Sequence, residues 1–319
     1  MTIEGGSLAR SEKGVALIVV LVVISLLAAL VLDFGYAARV DLTIAGLNRD
    51  AMRARILART GFHLGRALLM RDNNGYDSLG DVWARVDFLV MAPMFLEEGE
   101  QIAGAIVDEN SKFNLNSLVD ANGRANETAY AHFQRLLDVL DLDAKLADTL
   151  MDWMDKDNRA RPGGAEQNYY RSLGRNVKDA PLDSLRELLL VKDYTPEVLW
   201  GNKNHKGLIP YVTIFSNNRI NINTAPDIIL RSLDDEIDRS LSEAIIQHRE
   251  GEPFESTGDL KKVSGVTATL FARILSQITV SSDYFSIDMQ SSVDKAFCRL
   301  EAVVERKGGS VLPLYWRLQ

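Results

Sequence analysis

Only one cysteine, Cys298, occurs in the 319 residues, so no disulfide can form within the chain. In Ala296-Phe297-Cys298-Arg299-Leu300 it alternates like a strand residue, which suits a buried, inert thiol rather than a nucleophile. The four histidines, His63, His132, His205 and His248, lack the spacing of zinc ligands. No glycine-flanked nucleophile elbow brings a serine to a histidine and an acid. Cationic excess is missing as well: a net charge of -8 argues against a general nucleic-acid binder, which needs a basic surface. Nothing in this inventory points to catalysis.

What is present begins with Gly14 to Leu32, a charge-free apolar run interrupted only by Ser25 and closed by Asp33. At about 1.5 Å per residue, a helix of this length just crosses a bilayer's hydrocarbon core. Three readings compete. A cleaved secretory signal has an apolar region of roughly 7–15 residues and a small-x-small exit, and Gly35-Tyr36-Ala37-Ala38 supplies the exit, but the run is longer than that. A plain signal anchor fits the length and leaves Lys13-Gly14 unexplained. The third takes Arg10-Ser11-Glu12-Lys13-Gly14 as the end of a polar leader removed after Gly14, so that the mature chain starts at Val15. Arg10 and Lys13 before the span favour a cytoplasmic N-terminus, weakly, because Arg39 follows closely behind it.

That junction resembles the prepilin family, whose leaders end in a basic residue and glycine and whose mature proteins begin at the apolar helix. Most members carry glutamate as the fifth mature residue; here that place is Val19. A carboxylate at such depth costs roughly 2.5–3.5 kcal/mol unless it finds a partner. In the family its partner is thought to be the terminal amine of an adjacent subunit, so a subunit without it can end a filament. The type II secretion minor pseudopilins of type K are the members known for lacking it.

Beyond the span, Ala45 to Met70 contains no proline, and Leu47, Ala51, Ala58, Phe62, Gly65 and Leu69 recur at helical steps. The spacing predicts one long amphipathic helix, stopped by Asp72-Asn73-Asn74-Gly75. Val82 to Phe88 and Gln101 to Asp108 read as strands, and strands return at Tyr284 to Ile287, Ala296 to Glu305 and Leu312 to Leu318, with Lys307-Gly308-Gly309-Ser310 as a hairpin turn. A long helical block separates the two halves of this sheet. Its first stripes are Tyr130, Phe133, Leu136, Leu137 and Leu140, then Leu146, Leu150, Trp153 and Met154, which read as core.

These two helices lead into Asp152 to Tyr170. Asp155, Asp157 and Glu166 fall at positions 1, 3 and 12 of an EF-hand count, and Asp152 adds a carboxylate from the helix end. Arg159 and Ala160 occupy places that an EF-hand gives to an oxygen ligand and the turn glycine, so the loop is not an EF-hand. The residues alone fit equally a solvated acidic loop tied by Arg159 and Arg161 and a cation site. Further on, Ile220 to Asp227 reads as a helix start with Thr224 as cap, and Ala244 to Arg249 with Phe254 to Val266 resembles helix-hairpin-helix modules. The first hairpin, Ser232 to Asp238, is acidic and lacks glycine; the second keeps only Gly265, with Lys261 and Lys262 nearby. Free amides without competing carboxylates are what an anion needs, so the module reads as a packing unit.

The whole layout resembles pseudopilin K: an α+β fold in which a pilin-like long N-terminal helix packs on an antiparallel sheet carrying a large inserted α-helical domain. The resemblance implies a leader over 1–14, a transmembrane helix over 15–33, pilin-like body over 34–118, insert over 119–282 and closing strands over 283–319. It implies structural calcium on Asp152, Asp155, Asp157 and Glu166, because the family has a similar Asp-Trp, spaced aspartates and Gly-Ala-Glu before Tyr-Tyr and binds calcium. The expected function is assembly without enzymatic turnover. The chain would be a minor pseudopilin at the tip of the type II secretion pseudopilus, initiating or capping it for export of folded periplasmic proteins. Expected partners are the prepilin peptidase, the minor pseudopilins I and J and other pseudopilins, in the inner membrane with the C-terminal domain periplasmic. The rival is a membrane-anchored helix-hairpin-helix DNA-uptake protein.

Overall fold

The structure, a computed structural model, describes residues 9–73, 75–85, 96–203 and 205–319; for 9–13 it describes the backbone alone. Most of the expected leader therefore lies outside the described residues. A single helix, α1, runs over Ala9–Arg71. No proline interrupts it, and at about 1.5 Å per residue it is about 95 Å long. From Gly14 it contains a stretch long and apolar enough to cross a membrane, none of it buried in the fold. The hydroxyl of Ser25, the one polar group in this stretch, donates to the Leu21 carbonyl at 2.8 Å, so the helix satisfies it internally.

The upper part of α1 is covered. Ala54, Leu57, Ala58, Phe62 and Leu69 are buried, whereas Leu47, expected on the same face, is about half exposed. The covered stripe thus begins about two turns later than its periodicity implies, where the sheet begins. Helix and sheet meet closely at Gly61, where a Cβ would stand 2.3 Å from Cε of Met289 and 2.9 Å from Cδ1 of Ile102.

After α1, Val82–Arg85 forms a short helix, α2, and corrects the strand expected over Val82 to Phe88. Asp81 accepts from the Ser78 amide at 2.7 Å, and its carbonyl accepts from the Ala84 and Arg85 amides, closing a helical turn. Of the four residues only Trp83 is buried, edge-on to Phe285, and one buried residue fixes no period. Val86 to Phe88 lie outside the described residues.

Strand β1 covers Glu100–Asp108. The chain then leaves the sheet and returns only at β6, Tyr284–Val293, followed by β7, Ala296–Lys307, and β8, Ser310–Leu318. Their order is β1-β6-β7-β8, antiparallel throughout, with a bulge between Val303 and Val304. Gly308 and Gly309 both take left-handed conformations in the β7–β8 turn. Ile102, Ile106, Ile287, Met289, Leu300 and Val304 face α1 and form one core with it.

The excursion carries β2 (Phe113–Asn114), α3 (Glu127–Val139), α4 (Lys145–Met154), α5 (Gln167–Ser172), α6 (Pro196–Trp200), β3 (Val212–Thr213), β4 (Ile220–Asn221), α7 (Asp227–Ser232), α8 (Arg239–Gly251), α9 (Ala268–Ile274) and β5 (Ile278–Thr279). It has its own core, in which the stripes of α3 and α4 are buried except for half-buried Tyr130. Phe113, Leu115 and Leu118 belong to that core, and β2 pairs with β3. The inserted unit therefore starts earlier in the chain than Val119.

The roots of the insert are tied to the body by buried polar groups. Asp108 is 2 % exposed; its Oδ2 accepts from the Thr224 hydroxyl (2.5 Å), the Ser282 hydroxyl (2.6 Å) and Asn221 Nδ2 (3.1 Å), and its Oδ1 from the Asn110 amide (2.7 Å). Burial pushes its carboxyl upward, and these donors pull it back. Asp77 accepts from Arg306 Nη2 at 2.6 Å and from the Ser282 amide at 2.7 Å, while Arg306 also reaches Asp72 at 3.1 Å. Thr224, expected to cap a helix, serves this junction instead, and α7 starts after Pro226. Replacing Asp108 by alanine strands buried donors, so D108A should lose about 3 kcal/mol of stability. A thermal midpoint of the detergent-solubilised chain equal to that of unaltered protein would contradict this.

Candidate metal centre

Helix α4 ends at Met154 because Asp155 turns extended, its amide still bonded to the Met151 carbonyl. Eleven residues later Glu166 stands at the N-terminus of α5, where a side chain ordinarily caps the helix; here it makes no capping bond and turns inward. As a result Asp155, Asp157 and Glu166 each bring a carboxylate oxygen within 4.8 Å of the others. Asp155 Oδ1 and both Glu166 oxygens are buried and have no hydrogen-bond partner. Burial pushes Glu166 up to about 7, helped by the charges of Asp152, Asp155, Asp179 and Asp157; Asp155 is pushed up to about 6 by burial, then by Asp157 and Asp152.

Among the described residues no guanidinium forms an ion pair with these carboxylates, and the charge of Arg161 offsets the rise at Asp155 only in part. Arg161 turns its side chain away, with Nη2 at 2.5 Å from Glu127 and the group lying 4.3 Å over the Tyr130 ring. Arg159 meets Asp157 through its backbone amide, at 2.7 Å. A loop tied by Arg159 and Arg161 side chains is thus not what the chain builds. Orphaned buried carboxylate oxygens with no basic partner are the coordination that a hard divalent cation takes, and the donor set has no nitrogen or sulfur for zinc. Asp155, Asp157 and Glu166 fit such an ion.

Asp152, the fourth expected ligand, lies outside this group of three. It is fully buried, and both carboxylate oxygens accept from the Arg161 amide, at 3.1 and 3.3 Å. It holds the loop backbone and acts on the site through its charge. Asp179 is the residue that sequence reading missed. Its backbone adopts a left-handed conformation, its amide donates to the Trp153 carbonyl at 3.1 Å, and its charge reaches Glu166. It lies in an irregular segment without periodicity, so only chain folding reveals it.

Other candidates are accounted for. Asp72, Asp77 and Asp81 form a second acidic group, but Arg306 pairs with Asp72 and Asp77, and Asp81 accepts from the Ser78 amide. In the acidic hairpin, Arg273 is held by Asp234 and Glu236, and the hairpin amides of Glu236 and Ile237 are bonded within the turn. Lys262 pairs with Asp259 and Lys261 lies over Phe271. No open cradle for a phosphate forms there. His132 is buried beside Ser232 at 3.0 Å and pushed down to about 3, yet the serine hydroxyl donates to the Ile229 carbonyl and is no nucleophile. Burial raises the Cys298 thiol, in keeping with an inert residue.

Without a metal, Asp155 and Glu166 bind protons more tightly folded than unfolded, so their stabilising contribution is full below the ordinary carboxylate range, 3.8 to 4.5, and is lost as pH rises from there through about 6 to 7. In a chelator, the thermal midpoint should fall over that window, and D155N/E166Q should flatten the fall. A midpoint insensitive to this change would disprove the coupling.

Comparison with known proteins agrees with this architecture. Two family profiles described as type II secretion system (T2SS), protein K, match residues 111–217 and 220–281, which together are most of the excursion. Type II secretion system protein K of Pseudomonas aeruginosa is 30 % identical over 305 residues, covering 85 % of this chain and 86 % of that protein. The Aeromonas hydrophila protein of the same name is 23 % identical, covering 97 % of each. A chain in the crystal structure of the GspK-GspI-GspJ complex from enterotoxigenic Escherichia coli shares the fold, with a TM-score of 0.70 and 22 % identity over 84 % of this chain and 96 % of that one. A long helix on an antiparallel sheet, with a helical unit spliced into that sheet, is therefore a shared design, and the chain belongs to the type II secretion system protein K family.

Proposed function

We propose that the chain is the minor pseudopilin at the tip of a type II secretion pseudopilus, where it initiates or caps the filament that exports folded periplasmic proteins. The observation that carries this is the placement of the insert. Its roots meet the body beside Asp72, about 58 Å along the helix from Asp33, so the bulk sits at the end of the body farthest from the membrane span. A subunit carrying such a mass above its sheet fits an end of a packed filament better than its shaft. Val19 supports the same reading, since it offers no carboxylate to a subunit above.

In this reading the prepilin peptidase removes the leader after Gly14, Val15 becomes the N-terminus, and α1 anchors the chain once in the inner membrane with the body in the periplasm. The minor pseudopilins I and J are its partners, in keeping with the complex that the solved relative forms. Work is done by assembly, and no catalytic group is required. In cells lacking the chain, the full-length protein should restore secretion and be recovered with Val15 at its N-terminus. A variant with residues 112–281 replaced by a short linker should be processed equally and fail to restore secretion; full rescue by it would remove the insert from the mechanism.

The ion proposed for Asp155, Asp157 and Glu166 is calcium, which takes oxygen ligands in flexible number. It would join the end of α4 to the start of α5, a structural role. Titration calorimetry should show calcium binding that weakens at least tenfold in D155A/D157A. Absence of heat and of thermal stabilisation at millimolar calcium would refute it.

A further inference from the structure

The sheet has a second face, turned away from α1, and part of it fronts the insert. On β7 the residues that alternate with buried Leu300 and Val304 are Glu301 and Val303, and the register of β8 sets Arg317 opposite Glu301 and Tyr315 opposite Val303. Ile209, Ile214, Phe215 and Trp200 of the insert form the other wall, and the space between the walls is a cleft of about 420 Å³. The rings of Phe215 and Tyr315 approach each other across it, with centroids 6.5 Å apart. Trp200 and Tyr315 are exposed large side chains that the fold itself does not cover. The charges of the cleft differ in how they are engaged. All four acids are paired: Glu109 with Lys112 at 2.6 Å, Asp183 with Lys178 at 2.8 Å, and both Asp288 and Glu301 with Arg299. Arg186 and Arg317 also line the cleft, and among the described residues their side chains form no ion pair.

We infer that this cleft binds an aromatic carboxylate, its ring held among Trp200, Phe215 and Tyr315 and its carboxylate by Arg186 and Arg317. The volume falls in the range of small-molecule sites, roughly 300–1,000 Å³, which are mostly apolar with a few polar groups that fix orientation. Aromatic walls favour another ring, set offset or edge-on. A guanidinium offers a planar fork of donors that matches a carboxylate, so the two arginines select an anion. A cation finds no carboxylate without a partner there, because each acid already faces a lysine or arginine. An extended chain added to the sheet is not the occupant. The cleft lies on the face of the sheet, and on the edge strand β8 Pro313 removes a backbone donor that such a chain would need. Since body and insert each supply one wall, the bound molecule touches both and links them at a second place besides the Asp108 junction.

The test uses the full-length chain in detergent, with 2-naphthoate as probe and 2-naphthamide as its uncharged counterpart, in equilibrium dialysis against protein-free micelles of the same detergent. The unaltered chain should retain 2-naphthoate saturably, one molecule per chain, and 2-naphthamide tenfold or more weakly. R186Q/R317Q should weaken retention of 2-naphthoate tenfold or more and leave that of 2-naphthamide unchanged, whereas W200A/Y315A should weaken both severalfold. Thermal midpoints show whether each variant is folded. Should R186Q/R317Q be destabilised, R186Q alone decides, because that side chain is exposed, and it should cost severalfold in 2-naphthoate retention. No saturable retention above the micelle blank overturns the site. Equal retention of the two probes, or undiminished retention of 2-naphthoate by a folded R186Q/R317Q, overturns the anion chemistry and the inference with it. Undiminished retention by a folded W200A/Y315A places the probe outside the cleft and overturns it too. Secretion is not the readout, so any of these failures leaves the filament reading standing.

Discussion

The buried carboxylate of Asp108 holds the two halves of this molecule in one arrangement. It ends β1, where the chain leaves the sheet, and it gathers donors from Thr224 and Asn221 in the insert and from Ser282, just before the chain returns. Beside it, Arg306 on β7 joins Asp72 at the end of α1 to Asp77 and to the Ser282 carbonyl. The two hydrophobic cores are separate, and apolar contact alone is non-directional. Hydrogen bonds at fixed angles supply the missing direction. Two buried acids, Asp108 and Asp77, thus fix how the insert stands on the body.

The acidic loop solves the opposite problem. There Glu166 and one oxygen of Asp155 lack donors, and burial with mutual repulsion lifts both groups toward neutral pH. The junction satisfies its charges within the chain, whereas the loop leaves three oxygens unsatisfied. One arrangement is complete without a ligand. The other would be completed by the proposed cation, which between α4 and α5 would brace the insert.

Much of this was legible in the residues because period and punctuation carry it. The helix of α1, the strands β1 and β6 to β8, the Gly308-Gly309 turn and the stripes of α3 and α4 all follow from apolar spacing. Asp155, Asp157 and Glu166 were legible from their spacing along one loop. What failed lacked a period. Val82–Arg85 is too short to show one, and Asn110 to Leu118 mixes polar and apolar residues in short 3-10 turns, which hid the start of the insert. Asp152, named with Asp155, Asp157 and Glu166, accepts from the Arg161 amide and stands outside that group of three, a backbone contact that spacing does not show. Asp179 and the Asp77–Asp108–Arg306 junction join residues far apart in the chain, so only tertiary structure assembles them.

The close seat of α1 on the sheet has a mechanical consequence. At Gly61 the helix backbone lies so near Met289 and Ile102 that no side chain intervenes, and above it the end of α1 is clasped by Arg306 through Asp72. Over its covered length α1 is therefore joined to the sheet and to the root of the insert without an intervening linker, so a displacement of that part of the helix is shared by the root of the insert.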